Sequence, residues 1–237
     1  MLSYLLTFGV DRGYYIGVGC DVKHTHEKNT LASDTRKEVI YMTHTTYTLT
    51  NALTSAPVQA FDSADTSINS GKLPTVYGKI EFPIDCTALN YGGGKFDNTI
   101  EFGLANRFTD LIFDPFNRTS EWNSEIVETV NKSGVDLAIL SNVLNVIKEA
   151  TVREFILDVL ANTLGENKPL FVTVYEGDRT GNGRQTSKSA WQENRKLKEY
   201  TAEVQKHFTH VKTRYNTIVA WNGNSTAIDL KKWLPKR

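Results

Sequence analysis

From residue 84 onward, short apolar runs alternate with longer segments in which apolar residues recur every three or four positions. The short runs predict strands at 84–89, 109–113, 135–144 and 169–175. The longer segments predict helices at 97–106, 119–132, 148–163 and 190–208. Two further strands, 211–215 and 217–221, are joined at one residue and predict an antiparallel hairpin. This alternation predicts an α/β fold of the Rossmann-like, doubly wound type, with a mostly parallel sheet.

Polar residues follow three consecutive predicted strands, at the point where each strand ends. They are Asn90 to Gly94, Asp114 to Asn117, and Ser141 with Asn142. A Gly-Gly-Gly turn alone is common in ordinary loops. Three polar clusters at the carboxyl ends of neighbouring parallel strands, however, should converge at one crevice, which is where open α/β sheets bind ligands.

The chain before residue 84 has a different composition. Residues 1–60 are rich in Thr, Tyr and β-branched residues and predict a β-rich N-terminal region, with strands at 2–8, 14–18 and 39–47. Residues 61–83 are polar and predict a connecting segment of a kind that can also lie over a site. We therefore expect three parts: 1–60, 61–83 and a Rossmann-like domain at 84–237.

Charge and cysteine content narrow the function classes. Lys plus Arg and Asp plus Glu both number 27, so the formal net charge is zero and no global basic field attracts nucleic acid. Cys20 and Cys86 are far apart and form no metal-binding pattern, and Cys86 is expected in the core. His24 and His26 share one side of an extended segment but have no evident third ligand, so we expect no metal site. No apolar stretch is long enough to span a bilayer, and the cytoplasm is the expected location.

The motifs resemble those of the class I S-adenosylmethionine-dependent methyltransferases, particularly the compact ones of bacteriophages and bacteria. The residues that carry the resemblance are 90–97 (NYGGGKFD), 114–118 (DPFNR), 140–147 (LSNVLNVI), 174–178 (VYEGD) and 191–196 (WQENRK). It covers about 65–222 and leaves residues 1–60 unexplained. If the chain is phage-encoded, the bacterial host cytoplasm is the expected location.

The resemblance implies S-adenosylmethionine as cofactor and assigns it to particular residues. Gly92, Gly93 and Gly94 would form the turn against its methionine and ribose parts. Asp114 would accept hydrogen bonds from the ribose hydroxyls, as a carboxylate can. The remaining implied contacts are Asn90 at the start of the glycine motif, which can still accept a hydrogen bond, Pro115 and Phe116 near the adenine, and Ser141 and Asn142 at the methionine end.

The sequence departs from the family pattern in three places. Asn90 stands where the family usually has an acid, so no negative charge is expected there beside the sulfonium. Phe96 replaces a frequent third glycine. The helix at 119–132 runs almost directly into the strand at 135–144, so the family's third strand is expected to be missing and the sheet to be one strand short.

The catalytic residues are not evident, because methyl transfer depends more on alignment than on acid–base chemistry. Candidates on the acceptor side are Asn142, Tyr175 and Glu176, with Asp178 and Trp191 beside them, although Trp191 fits helix packing slightly better. A basic region could hold phosphate or form a solvated helix face. Its residues are Arg179, Arg184, Lys188, Arg195, Lys196 and Lys198.

The expected function is methyl transfer to an undetermined acceptor, either a small molecule or a nucleic acid. One alternative, prompted by Asn90, is a non-catalytic phage factor that sequesters S-adenosylmethionine or engages a host protein. Others are an enzyme that cleaves S-adenosylmethionine or one that uses another nucleotide. No membrane partner is expected, and the sequence does not indicate an oligomeric state.

Overall fold

The computed structural model describes residues 47–63 and 71–236 of the 237 in the chain. In chain order, the helices are α1 Leu49–Thr54, α2 Asn98–Ala105, α3 Ser120–Ser133, α4 Ala150–Leu164, α5 Thr201–Val204 and α6 Leu230–Trp233. The strands are β1 Thr87–Tyr91, β2 Thr109–Phe113, β3 Leu137–Ser141, β4 Leu170–Thr173, β5 Arg184–Gln185, β6 Trp191–Gln192, β7 His210–Arg214 and β8 Thr217–Trp221. Short 3-10 helices lie at Leu144–Val146 and Leu197–Tyr200.

Six of the described strands form one twisted sheet in the order β2-β1-β3-β4-β8-β7. The pairs β1–β2, β1–β3 and β3–β4 are parallel, whereas β4–β8 and β7–β8 are antiparallel. The strand order turns back between β1 and β3, so the carboxyl ends of these strands border a crevice. The structure confirms the predicted α/β, Rossmann-like architecture and its closing hairpin.

The edge of the sheet beside β2 confirms that the sheet is one strand short. Helix α3 leads from β2 directly to β3, with no strand between them in this described stretch. Thr119 caps the start of this helix, since its Oγ1 accepts a hydrogen bond from the N–H of Trp122, and Gly134, with a φ of 68°, caps its end. Among the described strands, β2 is therefore at the edge of the sheet.

The core consists of two apolar layers, one on each face of the sheet. Along β3, Ala138 and Leu140 pack with α3 and α4, while Leu137 and Ile139 pack on the opposite face. Successive strand residues point to opposite faces, so a strand covered on both sides is apolar throughout. This explains the continuous apolar run at 135–144. Cys86 lies in the core, as expected, in the same apolar layer as Leu137 and Ile139. Burial raises the pKa of its thiol to about 11.

One predicted helix is wrong. The chain from 190 to 208 begins with strand β6, continues through the 3-10 helix Leu197–Tyr200 and becomes α-helical only at α5. Ala190, Leu197, Val204 and Phe208 are buried, as the apolar spacing indicated. The backbone of 191–193 is bonded elsewhere, because Trp191 and Gln192 pair with β5 and the N–H of Glu193 donates to the carbonyl of Asn145 at 2.8 Å.

The N-terminal predictions fall almost wholly outside the described residues. The strands at 2–8 and 14–18 lie outside, as do His24, His26 and all but the last residue of 39–47. The chain then forms α1, which packs against α3 and α4 through Leu49 and Ala52. In the segment predicted as a connection, Tyr77 is fully buried on the second face of the sheet. None of the helices in 47–63 and 71–236 is both long enough and apolar enough to cross a membrane.

Candidate functional site

The turn after β1 requires glycine at its first position. Gly92 has a φ of 74°, in the left-handed region. A Cβ there would lie 2.5 Å from Cγ2 of Val143, in the loop that follows β3. The turn therefore packs closely against the neighbouring strand's loop, and a larger residue would push the two apart.

Two charged residues after β2 hold this glycine turn in place. Oδ2 of Asp114 accepts the N–H of Gly94 at 2.8 Å, and Nε of Arg118 donates to the carbonyl of the same residue at 2.8 Å. Arg118 also donates to the carbonyl of Phe96 at 2.8 Å and to Oδ1 of Asp97 at 2.7 Å. The loop after β2 therefore fixes the glycine turn through both backbone groups of Gly94.

The carboxylate of Asp114 already accepts hydrogen bonds from several protein groups. Besides Gly94, its carboxylate accepts the backbone N–H groups of Phe116 at 3.0 Å and Asn117 at 2.9 Å. The Nδ2 of Asn117 lies 3.1 and 3.2 Å from its two oxygens. The residue is buried. A ribose at Asp114 stays a prediction, and such a contact requires the Asn117 amide to give way.

Asn90 belongs to a buried network below the turn. Its Nδ2 lies 3.3 Å from Oγ1 of Thr99 and 3.3 Å from Oδ2 of Asp110. The hydroxyl of Tyr77 donates to Oδ1 of Asp110 at 2.8 Å. Burial raises the pKa of the Asp110 carboxyl to about 6, although the three hydrogen-bonding side chains oppose the shift, and burial likewise raises the pKa of Tyr77.

A cavity of about 370 Å³, which we call the apolar cavity, opens beside the glycine turn. Its wall is mainly apolar and comes from the loop after β3, from α4 and from residues 56–63. Five residues predicted to bind a cofactor line it: Gly92, Asp114, Pro115, Phe116 and Asn142. Four others do not: Asn90, Gly93, Gly94 and Ser141. The Ser141 hydroxyl instead lies 3.1 Å from that of Thr173.

A second cavity of about 700 Å³, the polar cavity, lies beyond the ends of β3 and β4. Its wall comes from residues within 72–75, 142–146, 175–178 and 184–194, including the β5–β6 hairpin. Asn142 and Val146 line both cavities, so the two meet at the loop after β3. Asn142 has a φ of 58°, and its N–H donates to the carbonyl of Thr173 at 2.8 Å.

Side-chain amides build the floor of the polar cavity. The Nε2 of Gln192 donates to the carbonyl of Tyr175 at 2.9 Å, and Nδ2 of Asn145 donates to Oε1 of Gln192 at 3.3 Å. Asn145 is 1% exposed, and its Oδ1 is buried without a hydrogen-bond partner in the described part of the chain. An unpaired buried oxygen of this kind costs about 1–3 kcal/mol.

The candidate catalytic residues have different surroundings. Asn142 lies at the junction of the cavities, and Tyr175, 64% exposed, lines the polar cavity. Glu176 lines neither cavity, because its carboxylate accepts the N–H of Leu197 at 2.8 Å and pairs with Arg179 at 2.7 Å. Asp178 lines the polar cavity and accepts the N–H and the hydroxyl of Thr180.

Trp191 is part of β6 and of the polar cavity wall, not of a helix. Its ring stacks on Phe61 with centroids 5.5 Å apart, and Nζ of Lys148 lies 5.1 Å from the ring centroid. The N–H of Ser63 donates to the carbonyl of Ser189 at 3.0 Å. Residues 56–63, which border the apolar cavity, are thereby joined to the hairpin that borders the polar one.

The predicted basic region is divided in the structure. Arg184 lines the polar cavity, whereas Arg179 pairs with Glu176. Arg195 pairs with Glu203 at 2.7 Å and lies over the ring of Tyr200. Within 47–63 and 71–236, no three His, Cys, Asp or Glu side chains are grouped so that they could hold a metal ion.

Sequence reasoning assigned no role to Phe61, Asn145 or Gln192, although Asn145 and Gln192 lie in the segments 140–147 and 191–196 that carry the family resemblance. The interactions of Asn145 and Gln192 depend on the irregular stretch that begins with β6, which was predicted to be helical. The apolar spacing around them was a signal for burial but not for the backbone path.

No protein-family model matches the sequence, and no curated protein matches it. Among solved structures, the chain is similar to the S-adenosylmethionine-dependent methyltransferase SibL in its apo form, with 12% identity and a TM-score of 0.39 over 68% of this chain and 56% of that one. It is similar to an O-methyltransferase family protein from Burkholderia thailandensis, with 9% identity and a TM-score of 0.39 over 68% and 57% of the two chains. An S-adenosylmethionine-dependent methyltransferase from Clostridium acetobutylicum ATCC 824 gives 10% identity and a TM-score of 0.38 over 73% and 96%. The chain thus spans little more than half the length of the first two.

Proposed function

We propose that this chain is an S-adenosylmethionine-dependent methyltransferase that holds its cofactor in the apolar cavity and its methyl acceptor in the polar cavity. One observation carries the proposal: two cavities of different chemistry meet at Asn142 and Val146, at the carboxyl ends of parallel strands. Transfer between two bound molecules requires adjoining sites that align the reacting atoms. Both volumes lie in the range of about 300–1,000 Å³ that is usual for small-molecule sites.

The residues of the apolar cavity fit S-adenosylmethionine. Gly92 lines this cavity at the point where the glycine turn packs against Val143, and the mainly apolar wall suits an adenine ring and an alkyl chain. Phe116 is 48% exposed and offers a ring face in that wall. When bound, S-adenosylmethionine supplies a methyl group activated by a sulfonium. The loop after β3 then has to orient the acceptor, and Asn142 is the polar side chain at the junction.

The first test is calorimetric titration with S-adenosylmethionine and S-adenosylhomocysteine. Phe116→Ala should weaken binding of both by about tenfold, since the lost ring contact is worth about 1.5 kcal/mol. Phe96→Ala is the matched control, because Phe96 is also partly exposed beside the glycine turn but lines neither cavity. Absence of binding to the wild type, or equal losses in the two variants, would contradict the proposed site.

Product analysis then separates transfer from the alternatives. Formation of S-adenosylhomocysteine that depends on an added acceptor supports methyl transfer. Methylthioadenosine formed without an acceptor would instead indicate cleavage of S-adenosylmethionine. Tight binding with neither product would favour a protein that sequesters the cofactor.

A further inference from the structure

We propose that the polar cavity selects a small anionic acceptor that also carries a polar N–H or O–H, and that Asn145 binds this donor. The inference rests on the proposed function, because it names the acceptor class for the same site. Its central observation is that the buried Oδ1 of Asn145 has no hydrogen-bond partner among the described residues. The amide nitrogens of Asn145 and Gln192, by contrast, both donate hydrogen bonds.

The orientation of the Asn145 amide follows from its neighbours. The carbonyl of Tyr175 can only accept, so Gln192 must present Nε2 to it. The Oε1 of Gln192 then faces Asn145, so Asn145 must donate a hydrogen bond to it from Nδ2. Turning either amide would place two acceptors or two donors together. Oδ1 of Asn145 is therefore left as an acceptor, and a donor from a ligand satisfies it.

The charges of the cavity wall favour an anion. Lys72 and Arg184 both line the polar cavity, and Asp178 is the acidic residue among the lining side chains that the structure describes. The Asp178 carboxylate already accepts two hydrogen bonds from Thr180. These hydrogen bonds and, after them, the charge of Arg184 lower the pKa of the Asp178 carboxyl, but neither Lys72 nor Arg184 forms an ion pair with Asp178 among the described residues. An acceptor with a carboxylate or phosphate group can therefore meet the two cations without breaking an ion pair.

The size of the cavity and the charge of the chain favour a small molecule over a nucleic acid. About 700 Å³ suits a ligand of drug size. The chain has 27 basic and 27 acidic residues, so it offers no overall field that would attract a polyanion. A nucleic acid acceptor is the competing outcome of the test.

The test uses three matched sets of fragments, titrated into protein saturated with S-adenosylhomocysteine. The first set contains amino- and hydroxybenzoates, the second their dimethylamino and methoxy counterparts, and the third the corresponding neutral benzamides. We expect the first set to bind about tenfold more tightly than either other set, because it alone combines anion and donor. Equal binding by the sets, no binding by any fragment, or tighter binding of a single-stranded oligonucleotide would overturn the inference.

Variants assign the two preferences to residues. Asn145→Leu should abolish the preference for the first set over the second, and Arg184→Ala the preference for the first set over the third. Lys188→Ala is the control for Arg184, because Lys188 is an exposed cation on the same hairpin that does not line the cavity. If Asn145→Leu fails to fold, the wild-type comparison and the Arg184→Ala variant still decide the result.

Titration of S-adenosylhomocysteine alone separates the two proposals. If the wild type binds it and the fragments do not sort by class, the acceptor class is wrong while the proposed function stands. If S-adenosylhomocysteine does not bind, the proposed function fails, and fragments titrated into the free protein then test the cavity by itself.

Discussion

The side-chain nitrogen of Asn90 lies 3.3 Å from Oδ2 of Asp110 on the neighbouring strand, and both residues are nearly inaccessible to solvent. Asn90 donates a hydrogen bond to a buried carboxylate at a position where an acid would repel it. The amide is therefore matched to Asp110 rather than to a ligand, and it lines neither cavity. The contact gives Asn90 a role inside the fold, and the non-catalytic alternative that this residue prompted stays a prediction for product analysis to decide.

Asn90→Asp should destabilise the fold, because it brings two carboxylates together without water. We expect a loss of about 2 kcal/mol in the free energy of unfolding at pH 8, from the lost hydrogen bond and the like-charge contact. The loss should shrink near pH 5, where Asp110 holds a proton. Urea denaturation measures both values, and the Asn90→Asp/Asp110→Asn double variant should recover most of the stability. If the Asn90→Asp variant had the same free energy of unfolding as the wild type, the two side chains would not be in contact.

Asp110 should make stability depend on pH. Its pKa is about 6 in the folded protein and near 3.8 ordinarily, so the folded state binds the proton more tightly than the unfolded state. The stabilisation is fully present below pH 4 and is lost as the pH rises through 6. A shift of this size corresponds to about 3 kcal/mol. The unfolding free energy of the wild type minus that of Asp110→Asn should decrease by about 3 kcal/mol between pH 4 and pH 7. A free-energy difference that does not change with pH would refute the raised pKa of Asp110.

The sequence predicted helices and strands correctly where buried apolar positions recur at a regular spacing along the chain. The run at 135–144 predicts a central strand, because both faces of β3 are covered, and the helix at 148–163 corresponds to α4. The prediction failed at Trp191, where hydrogen bonds from distant residues determine the backbone. It also could not foresee the Asn90–Asp110 contact, since the pair depends on strand register. Local periodicity reports burial, whereas a site depends on which polar groups the register brings together.

Asp114→Asn tests whether this residue holds the glycine turn. The new amide nitrogen cannot accept, so one of the N–H groups now bound by the carboxylate loses its partner. We expect a loss of about 1–3 kcal/mol in stability and weaker binding of S-adenosylhomocysteine. Asp97→Asn is the control, since its carboxylate is 57% exposed where it pairs with the largely buried Arg118, and neutralising an exposed partner of this kind costs about 1 kcal/mol.

A deoxy ligand separates the structural role of Asp114 from the ribose contact implied by the family resemblance. If Asp114 only holds the turn, the variant should weaken S-adenosylhomocysteine and its 2′-deoxy analogue by the same factor. A larger loss for the ribose-containing ligand would indicate a direct contact with the hydroxyls. Calorimetry on both ligands gives the two factors.

Glu203→Ala should destabilise the fold beside the loop after β3. Glu203 binds Arg153 through two hydrogen bonds, at 2.8 and 3.2 Å, and Arg195 at 2.7 Å. Burial opposes its ionisation, but these hydrogen bonds and charges lower its pKa. Arg153 in turn donates to the carbonyls of Ile147 and Lys148, at the end of the loop after β3.

Without Glu203, two largely buried guanidinium groups lose their shared counter-ion, and a loss of about 3 kcal/mol in unfolding free energy is expected. Glu199→Ala provides the comparison, because Glu199 is an exposed acid in the preceding turn. Urea denaturation of the two variants side by side is the measurement. Equal effects would mean that the Arg153–Glu203–Arg195 cluster contributes little to the fold.

Gly92→Ala should impair the glycine turn for two reasons that a second substitution separates. The new Cβ would approach Cγ2 of Val143 to 2.5 Å, and a φ of 74° is strained for alanine. We expect a loss of about 2 kcal/mol in stability and a comparable loss in the free energy of binding S-adenosylhomocysteine. Gly92→Ala/Val143→Ala removes the collision but keeps the backbone strain, so binding should recover only in part. The single Val143→Ala variant gives the baseline, and complete recovery in the double variant would show that close packing alone requires glycine here.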